Sequence, residues 1–432
     1  MSDKMTLAVA GLGTVGAGTV KLLHENRALI AARAGADVAV GAVSARDASK
    51  NRGVDLSNFQ WFDDPVEMAT QADADIFVEL IGGSGGAAKA AVLAALGAGK
   101  HVVTANKALI AHHGAALAER AEAAGLVLAY EAAVAGGIPI IKVMREGLAA
   151  NRFDRVYGIL NGTCNYILTA MRETGGEFAD ILAEAQALGY AEADPSFDID
   201  GVDAAHKLAI LAALAFGSAV RFEDLHIEGI RDISALDIKS VDELGYRIKL
   251  LGIANRQEGR AELRVHPCLV DKSAPIAAVE GVTNAVVAEG NFVGSVICEG
   301  PGAGAGPTAS AVVSDVIDIA RGIKLPTFAT PVSSMPVLET SPMDGHRGCH
   351  YIRLTVHDQP GVIADVAAAL RDEGISVESM LQRGRGTEAD GAVPVILTTH
   401  ETTEAALNRA LSRISAMSTT LGPPCVLRIE SL

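Results

Sequence analysis

Apolar residues in the first part of the chain come in short runs, separated by longer stretches in which they recur every three or four positions. Short runs bounded by turn residues read as buried strands, and the three-to-four spacing reads as helices packed by one face. Residues 6–10 form the first run, a helical pattern extends to about residue 33, and residues 37–43 form the second run. Further runs at 74–81, 101–104 and 126–130 alternate with helical patterns. This alternation predicts an α/β fold with a doubly wound, Rossmann-type parallel sheet over residues 1–150. Near residue 150 the order changes. A strand at 154–160 runs through a polar turn into a helix, and a carboxylate-rich loop beginning at Gly189 enters an apolar helix that ends near Phe216. Strand-like runs at 262–270 and 285–289 follow. A loop with four glycines in seven residues (300–306) then opens a helix to about residue 321, placed late enough to return to the nucleotide domain. Residues 151–322 are thus read as an α+β unit, and 323–347, rich in Pro, Ser and Thr, as a linker. Residues 348–432 read strand, helix, strand, strand, helix, strand, a ferredoxin-like βαββαβ order.

Composition narrows the function classes. The chain has 432 residues, 49% of them hydrophobic, with 45 glycines, which is the make-up of a packed α/β protein and not of a disordered one. A formal net charge of -16 argues against nucleic acid or an anionic membrane as partner. The cysteines number five, are widely spread and include no CxxC, which speaks against a disulfide framework or a structural zinc site and for a reducing cytoplasm. No signal-peptide pattern opens the sequence, and no apolar run is long enough to span a membrane.

The first chemical motif is Gly11-Leu12-Gly13-Thr14-Val15-Gly16, between a strand and a helix. In that setting GxGxxG binds a dinucleotide: Gly11 permits the tight turn, Gly13 lets the backbone approach a pyrophosphate, and Gly16 allows close packing of helix on strand. The second strand does not end in an acid. Arg46 follows it and suits a 2′-phosphate, so NADP is expected over NAD; Asp47 on a ribose is the alternative. Lys107 begins a helix, where its charge opposes the helix dipole, and so calls for an anionic partner, ligand or acid. The Gly-rich turn Glu131–Pro139 exposes carbonyls that suit a hard cation such as Na⁺, or is simply a structural turn. Asn161-Gly162-Thr163 is either an N-cap or a substrate contact. Cys164 has no histidine near it in sequence and reads as a small buried residue. Asp203 and Lys207 share a helix face at a spacing of four, with nearly all-apolar residues beyond. That makes Lys207 a candidate proton donor oriented by Asp203; the plain alternative is an ordinary i,i+4 ion pair.

Taken together, GLGTVG, VVTANKALI, EAAVAGGIPI, GILNGTCNYIL, GYAEADPSFDIDGVDAAHKLAILA and GPGAGAGPTA resemble homoserine dehydrogenase from residue 5 to about 322. The stretch YIRLTVHDQPGVIADVAAAL resembles an ACT domain, an amino-acid-binding regulatory fold. The resemblance implies the monofunctional form with a regulatory tail, with no aspartokinase domain before it. It implies reversible conversion of L-homoserine and L-aspartate 4-semialdehyde with NAD(P), on the route to threonine, methionine and isoleucine. Carried over residue by residue, it makes Lys207 the general acid, Asp203 its orienting partner and Lys107 a neighbour of substrate and nicotinamide. Glu192 and Asp198 would hold the substrate ammonium, with Tyr190, Gly162 and Thr163 shaping the pocket. Gly304 would face the cofactor, and main-chain oxygens of Glu131, Val134, Gly136 and Ile138 would hold Na⁺. The middle unit is expected to form a homodimer, which ACT pairing could extend to a tetramer. An amino-acid effector, threonine first, is expected at the turn Asp358–Gly361. Two readings compete: an amino-acid sensor that has lost catalysis, disfavoured by the intact Lys107, Asp203 and Lys207, and a dehydrogenase acting at the α-carbon, separable by its product.

Overall fold

The computed structural model describes residues 3–257, 259–382 and 391–432. Its first unit contains β1 (Asp3–Ala10), α1 (Thr14–Glu25), α2 (Arg27–Ala34), β2 (Ala36–Ser44), β3 (Gln60–Phe62), α3 (Pro65–Gln71), β4 (Ile76–Glu79), α4 (Gly86–Gly97), β5 (His101–Thr104), α5 (Lys107–Ala123) and β6 (Leu128–Ala129). The strands form a wholly parallel sheet in the order β3-β2-β1-β4-β5-β6. That is the doubly wound order with its switch point between β1 and β4. Leu7, Val9, Ile76, Phe77, Val78, Val102 and Val103 are fully buried, as expected for strands covered on both faces.

A short helix α6 (Ile140–Lys142), continued by a π-helical turn at Val143–Gly147, leads into the second unit. This contains β7 (Phe153–Ile159), α7 (Gly162–Thr174), α8 (Phe178–Ala187), α9 (Ser196–Ile199), α10 (Val202–Phe216), β8 (His226–Ile227), α11 (Ala235–Glu243), β9 (Tyr246–Gln257), β10 (Arg260–Asp271), β11 (Thr283–Gly290), β12 (Gly294–Pro301) and α12 (Ala305–Ala320). Nearly every residue of α10 is buried, which matches its apolar sequence. As the position of its loop suggested, α12 returns to the first unit. There it packs so closely on α1 that a Cβ on Gly18 would sit 2.9 Å from the Ala305 carbonyl oxygen.

The C-terminal unit runs β13 (Arg347–His357), α13 (Val362–Asp372), β14 (Val377–Gln382), β15 (Ala392–Thr399), β16 (Thr402–Thr403), α14 (Glu404–Ser415) and β17 (Cys425–Glu430). The expected βαββαβ order is present, with β16 as a two-residue addition. Its sheet does not stand alone. β17 pairs in parallel with β10, Cys268 opposite Arg428, so one sheet runs β12-β11-β7-β9-β10-β17-β13-β15-β14 through both units. Charged side chains close the seam. Arg428 binds Glu228 and Glu404, Arg264 binds Glu430, and Arg353 binds Asp237. The stretch read as a linker is strapped down on the way: Tyr130 donates to the Thr327 carbonyl (2.8 Å), Phe328 is buried, and Ala261 bridges to Thr340. Among the described residues no helix is long and apolar enough to cross a membrane.

Candidate active site

At the switch point the Gly-rich turn has the shape its sequence requires. Gly11 has φ 93°, and a Cβ there would lie 2.5 Å from the Leu80 carbonyl oxygen. A Cβ on Gly16 would meet the Gly11 carbonyl oxygen at 2.0 Å, whereas Gly13 faces open space. The turn is thus closed on its protein side and open where a pyrophosphate approaches, and no side chain caps the start of α1. Arg46 is exposed in the loop after β2. The guanidinium bonded to the Gly-rich turn belongs to Arg52, whose Nε donates to the Leu12 carbonyl (3.1 Å) while its group lies 5.7 Å from the Trp61 ring centre. Arg52 carried no signal in the sequence, because the loop that brings it back has no periodicity.

The next two strand ends are organised by Glu79, a fully buried carboxylate. It accepts from the Ile81 and Gly82 amides (2.8 and 3.0 Å) and from the Thr104 hydroxyl (2.6 Å). Thr104 in turn accepts from the Asn106 amide (2.9 Å), and Asn106 caps α5 through the Leu109 amide (3.0 Å). Lys107 is thereby set at the first position of α5. The anionic partner that its position called for is Asp203, whose Oδ1 lies 2.9 Å from Lys107 Nζ.

Asp203 joins the two units. Its Oδ2 accepts from Lys207 Nζ (2.6 Å) and from Asn161 Nδ2 (2.9 Å), so one carboxylate serves three donors. Burial works against its charge, but Lys207 and Lys107 outweigh burial and hold its carboxyl well below the usual range. Lys207 Nζ also donates to the Leu160 carbonyl (2.6 Å) at the end of β7. Asn161 is the N-cap that its position offered, with Oδ1 on the Cys164 amide (2.8 Å), while its Nδ2 spans Asp203 and Asp198 (2.8 Å to the latter). Burial, then the charge of Asp203, raises the Asp198 carboxyl. Thr163 donates to the Tyr190 carbonyl (2.8 Å) and pins that loop.

These groups line a cavity of about 580 Å³, together with Val15, the Ala132–Gly136 turn, Gly162, Asn284 and the loop 301–304. Lys107, Lys207, Asp203, Asp198, Thr163, Tyr190, Gly162 and Gly304 are therefore brought together. Glu192 is not: its residue is exposed and lies outside the lining, while its carbonyl accepts from Gln186 (2.9 Å). The fold of the 189–195 loop tucks Ala191 inward and leaves the next residue facing solvent. Asn284 was not foreseen. It is 1% exposed, lies under Gly302 so that a Cβ there would fall 2.2 Å from its side chain, and has a buried Oδ1 with no hydrogen-bond partner. Cys164 is fully buried, with its thiol pushed well up by burial and then by Asp198 and Asp203.

The neighbouring turn Glu131–Ile138 is tightly built. The Glu131 carboxylate accepts from the Ile141 and Lys142 amides (2.9 and 2.8 Å) at the start of α6, and Ala135 and Gly136 both have positive φ, 53° and 36°. The Ile138 carbonyl accepts from the Ile140 amide (2.8 Å). Among the described residues, no donor is set against the Val134 or Gly136 carbonyls.

Family models match along the chain: Homoserine dehydrogenase over residues 139–317, its NAD binding domain over 11–131, and ACT domain over 350–416. A homoserine dehydrogenase of Pseudomonas aeruginosa is 46% identical over 435 residues, covering 99% of either chain. The chain belongs to the homoserine dehydrogenase family. Another homoserine dehydrogenase, from Neisseria gonorrhoeae, is 44% identical and likewise covers 99% of both chains. The crystal structure of a homoserine dehydrogenase from Thiobacillus denitrificans superposes with a TM-score of 0.93 at 43% identity, over 99% of this chain and 98% of that one. A hyperthermophilic archaeal homoserine dehydrogenase in complex with NADPH matches with a TM-score of 0.64 at 28% identity, over 74% of this chain and 99% of that one. This member of the homoserine dehydrogenase family is thus an oxidoreductase with an NAD(P)-binding domain and a C-terminal ACT domain.

Proposed function

We propose that the chain interconverts L-homoserine and L-aspartate 4-semialdehyde in the cytoplasm, with NADP preferred, and that threonine restrains it through the ACT domain. The observation that carries this reading is Asp203, one buried carboxylate gripping a lysine from each of two units at the wall of the cavity. The turn Gly11, Leu12, Gly13, Thr14, Val15 and Gly16, with Gly304, would hold the dinucleotide, which would supply or accept hydride at its nicotinamide. Negative charge then develops on the aldehyde oxygen, and fixed positive groups there lower the barrier. Lys207 donates the proton to that oxygen. Asp203 orients Lys207, and Lys107 adds the second positive charge. Asp198, held by Asn161, takes the substrate ammonium, with Gly162, Thr163 and Tyr190 shaping that end. Arg46, with Arg52 on the Gly-rich turn, supports the choice of NADP.

The donor set of the 131–138 turn supports Na⁺ held by main-chain oxygens of Glu131, Val134, Gly136 and Ile138, since two of those carbonyls are free to coordinate. The edge strand β12 and Phe292, 89% exposed, support a homodimer through the middle sheet, which ACT pairing would extend to a tetramer. The exposed turn Asp358–Gly361 at the start of α13 is where threonine would bind. The test follows reduced-cofactor absorbance with L-homoserine and NADP⁺ or NAD⁺, with and without L-threonine. Homoserine-dependent reduction, faster with NADP⁺ and lowered by threonine, is expected. An oxo-acid with ammonia as product, or no reduction by a folded protein, overturns the reading.

A further inference from the structure

Behind the two lysines lies a set of rings that the proposed chemistry does not use. His206, next to Lys207 on α10, is 5% exposed. Its Nδ1 lies 2.9 Å from the Val202 carbonyl oxygen, and its Nε2 lies 3.1 Å from Nε2 of His112 on α5. A carbonyl only accepts, so the proton of a neutral His206 is on Nδ1 and its Nε2 accepts from His112. His206 is neutral near pH 7, because burial and then His112 bring its pKa down to about 4. The other nitrogen of His112 faces solvent and Glu223, 3.9 Å away. Two phenylalanines stack on His206: Phe222 at 4.4 Å and 14°, and Phe197 at 5.5 Å and 25°. The Phe197 ring in turn lies 5.6 Å from Lys107 Nζ. None of these rings lines the cavity.

The hydrogen bond therefore joins the helix that carries Lys107 to the helix that carries Asp203 and Lys207. The Lys107 side chain is 34% exposed, is paired with Asp203 and lies against the Phe197 face, which supports its cation. We propose that His112 and His206 are a positioning pair: their bond sets the spacing of α5 and α10, and the Phe197 ring stacked on His206 is the platform that keeps Lys107 against Asp203. The inference rests on the reading of Lys107, Asp203 and Lys207 as the reacting centre, and deepens it.

The full chain tests this with His112→Phe, His206→Phe and His112→Gln, each alone and with Lys107→Ala, by steady-state kinetics and thermal melting. Either phenylalanine keeps a ring but removes the bond, and kcat is expected to fall ~10- to 100-fold, the cost of misplacing a reacting group by about 1 Å. The KM for the dinucleotide should stay within about twofold. Glutamine places its amide nitrogen where His112 Nε2 sits and should restore kcat to within about threefold of the parent. In the Lys107→Ala background His112→Phe should have no further effect on the residual rate, because the pair acts through Lys107. The same fold-loss in both backgrounds overturns the pair while leaving the centre intact, as does a wild-type rate in both phenylalanine variants. A Lys107→Ala protein with undiminished turnover overturns the reading of the centre itself. If the phenylalanine variants do not fold, His112→Asn, too short to reach His206, takes their place against His112→Gln.

Discussion

Asp203→Asn is the most informative single change, because it keeps shape and removes charge. The carboxylate now accepts at Oδ2 from Lys207 and Asn161 and at Oδ1 from Lys107. An amide offers one oxygen. Turned toward Lys207 and Asn161, it keeps two bonds and points its NH₂ at Lys107 Nζ; turned the other way, it keeps one and faces two donors. The first orientation wins, so Lys107 is the group released. A hydrogen bond to a charged group contributes about 1.5–3 kcal/mol, and removing one partner from a buried ion pair costs about 3–5 kcal/mol. Lys107 is a third exposed and recovers part of this by hydration, so the variant should lose about 3 kcal/mol of stability at pH 7. Turnover should fall ~100-fold or more, since Lys107 loses its orientation and Lys207 keeps its bond but loses its counter-charge. Affinity for NADPH should hold, because Asp203 does not touch the Gly-rich turn. Urea unfolding, steady-state kinetics with homoserine, and NADPH fluorescence titration read the three quantities separately. A kcat within threefold of the parent would refute the assignment of Asp203 as the group that holds both lysines.

Cys164→Ala should keep turnover within about twofold, and iodoacetamide should leave the native enzyme active, since the buried thiol is held neutral; loss of activity in either experiment contradicts this. Gly302→Ala pushes a methyl group into the Asn284 amide. The loop must lift, and the change should cost about 1–3 kcal/mol and weaken NADPH binding in a fluorescence titration. Acid should weaken the ACT unit where it borders the middle unit. Burial opposes the Glu404 charge, but His350 and Arg428 bring its pKa down to about 2 from 4.5. A carboxyl with a depressed folded pKa contributes stability above pH 4.5 and loses it as pH falls toward 2. Arg428→Met should therefore lower the melting temperature at pH 7 and flatten its decline below pH 4.5, as differential scanning calorimetry would show.

Local geometry made much of this protein legible before its fold was known. Gly11 and Gly16 are required by the turn they make, whatever lies around them, and Asp203 and Lys207 meet because four residues bring a helix back to one face. The strand–helix alternation, the βαββαβ order of the last unit and the capping role of Asn161 follow from the same short-range rules. Lys107 lies between these cases: its place at a helix start said that it needs an anion, and only packing of α5 on α10 made that anion Asp203. The remainder was beyond any local pattern. Nothing in the runs around Cys268 and Arg428 shows that β10 and β17 pair to fuse two sheets, because strand pairing across such a separation is chosen by burial and by the charges sealed at the seam. Arg52 reaches the Gly-rich turn through an aperiodic loop. Glu192, placed in the pocket by its motif, faces solvent because side-chain direction in a loop is set by what its neighbours bury. His112 and His206 carry no motif, and their bond exists only because two helices cross where one donor and one acceptor meet out of water.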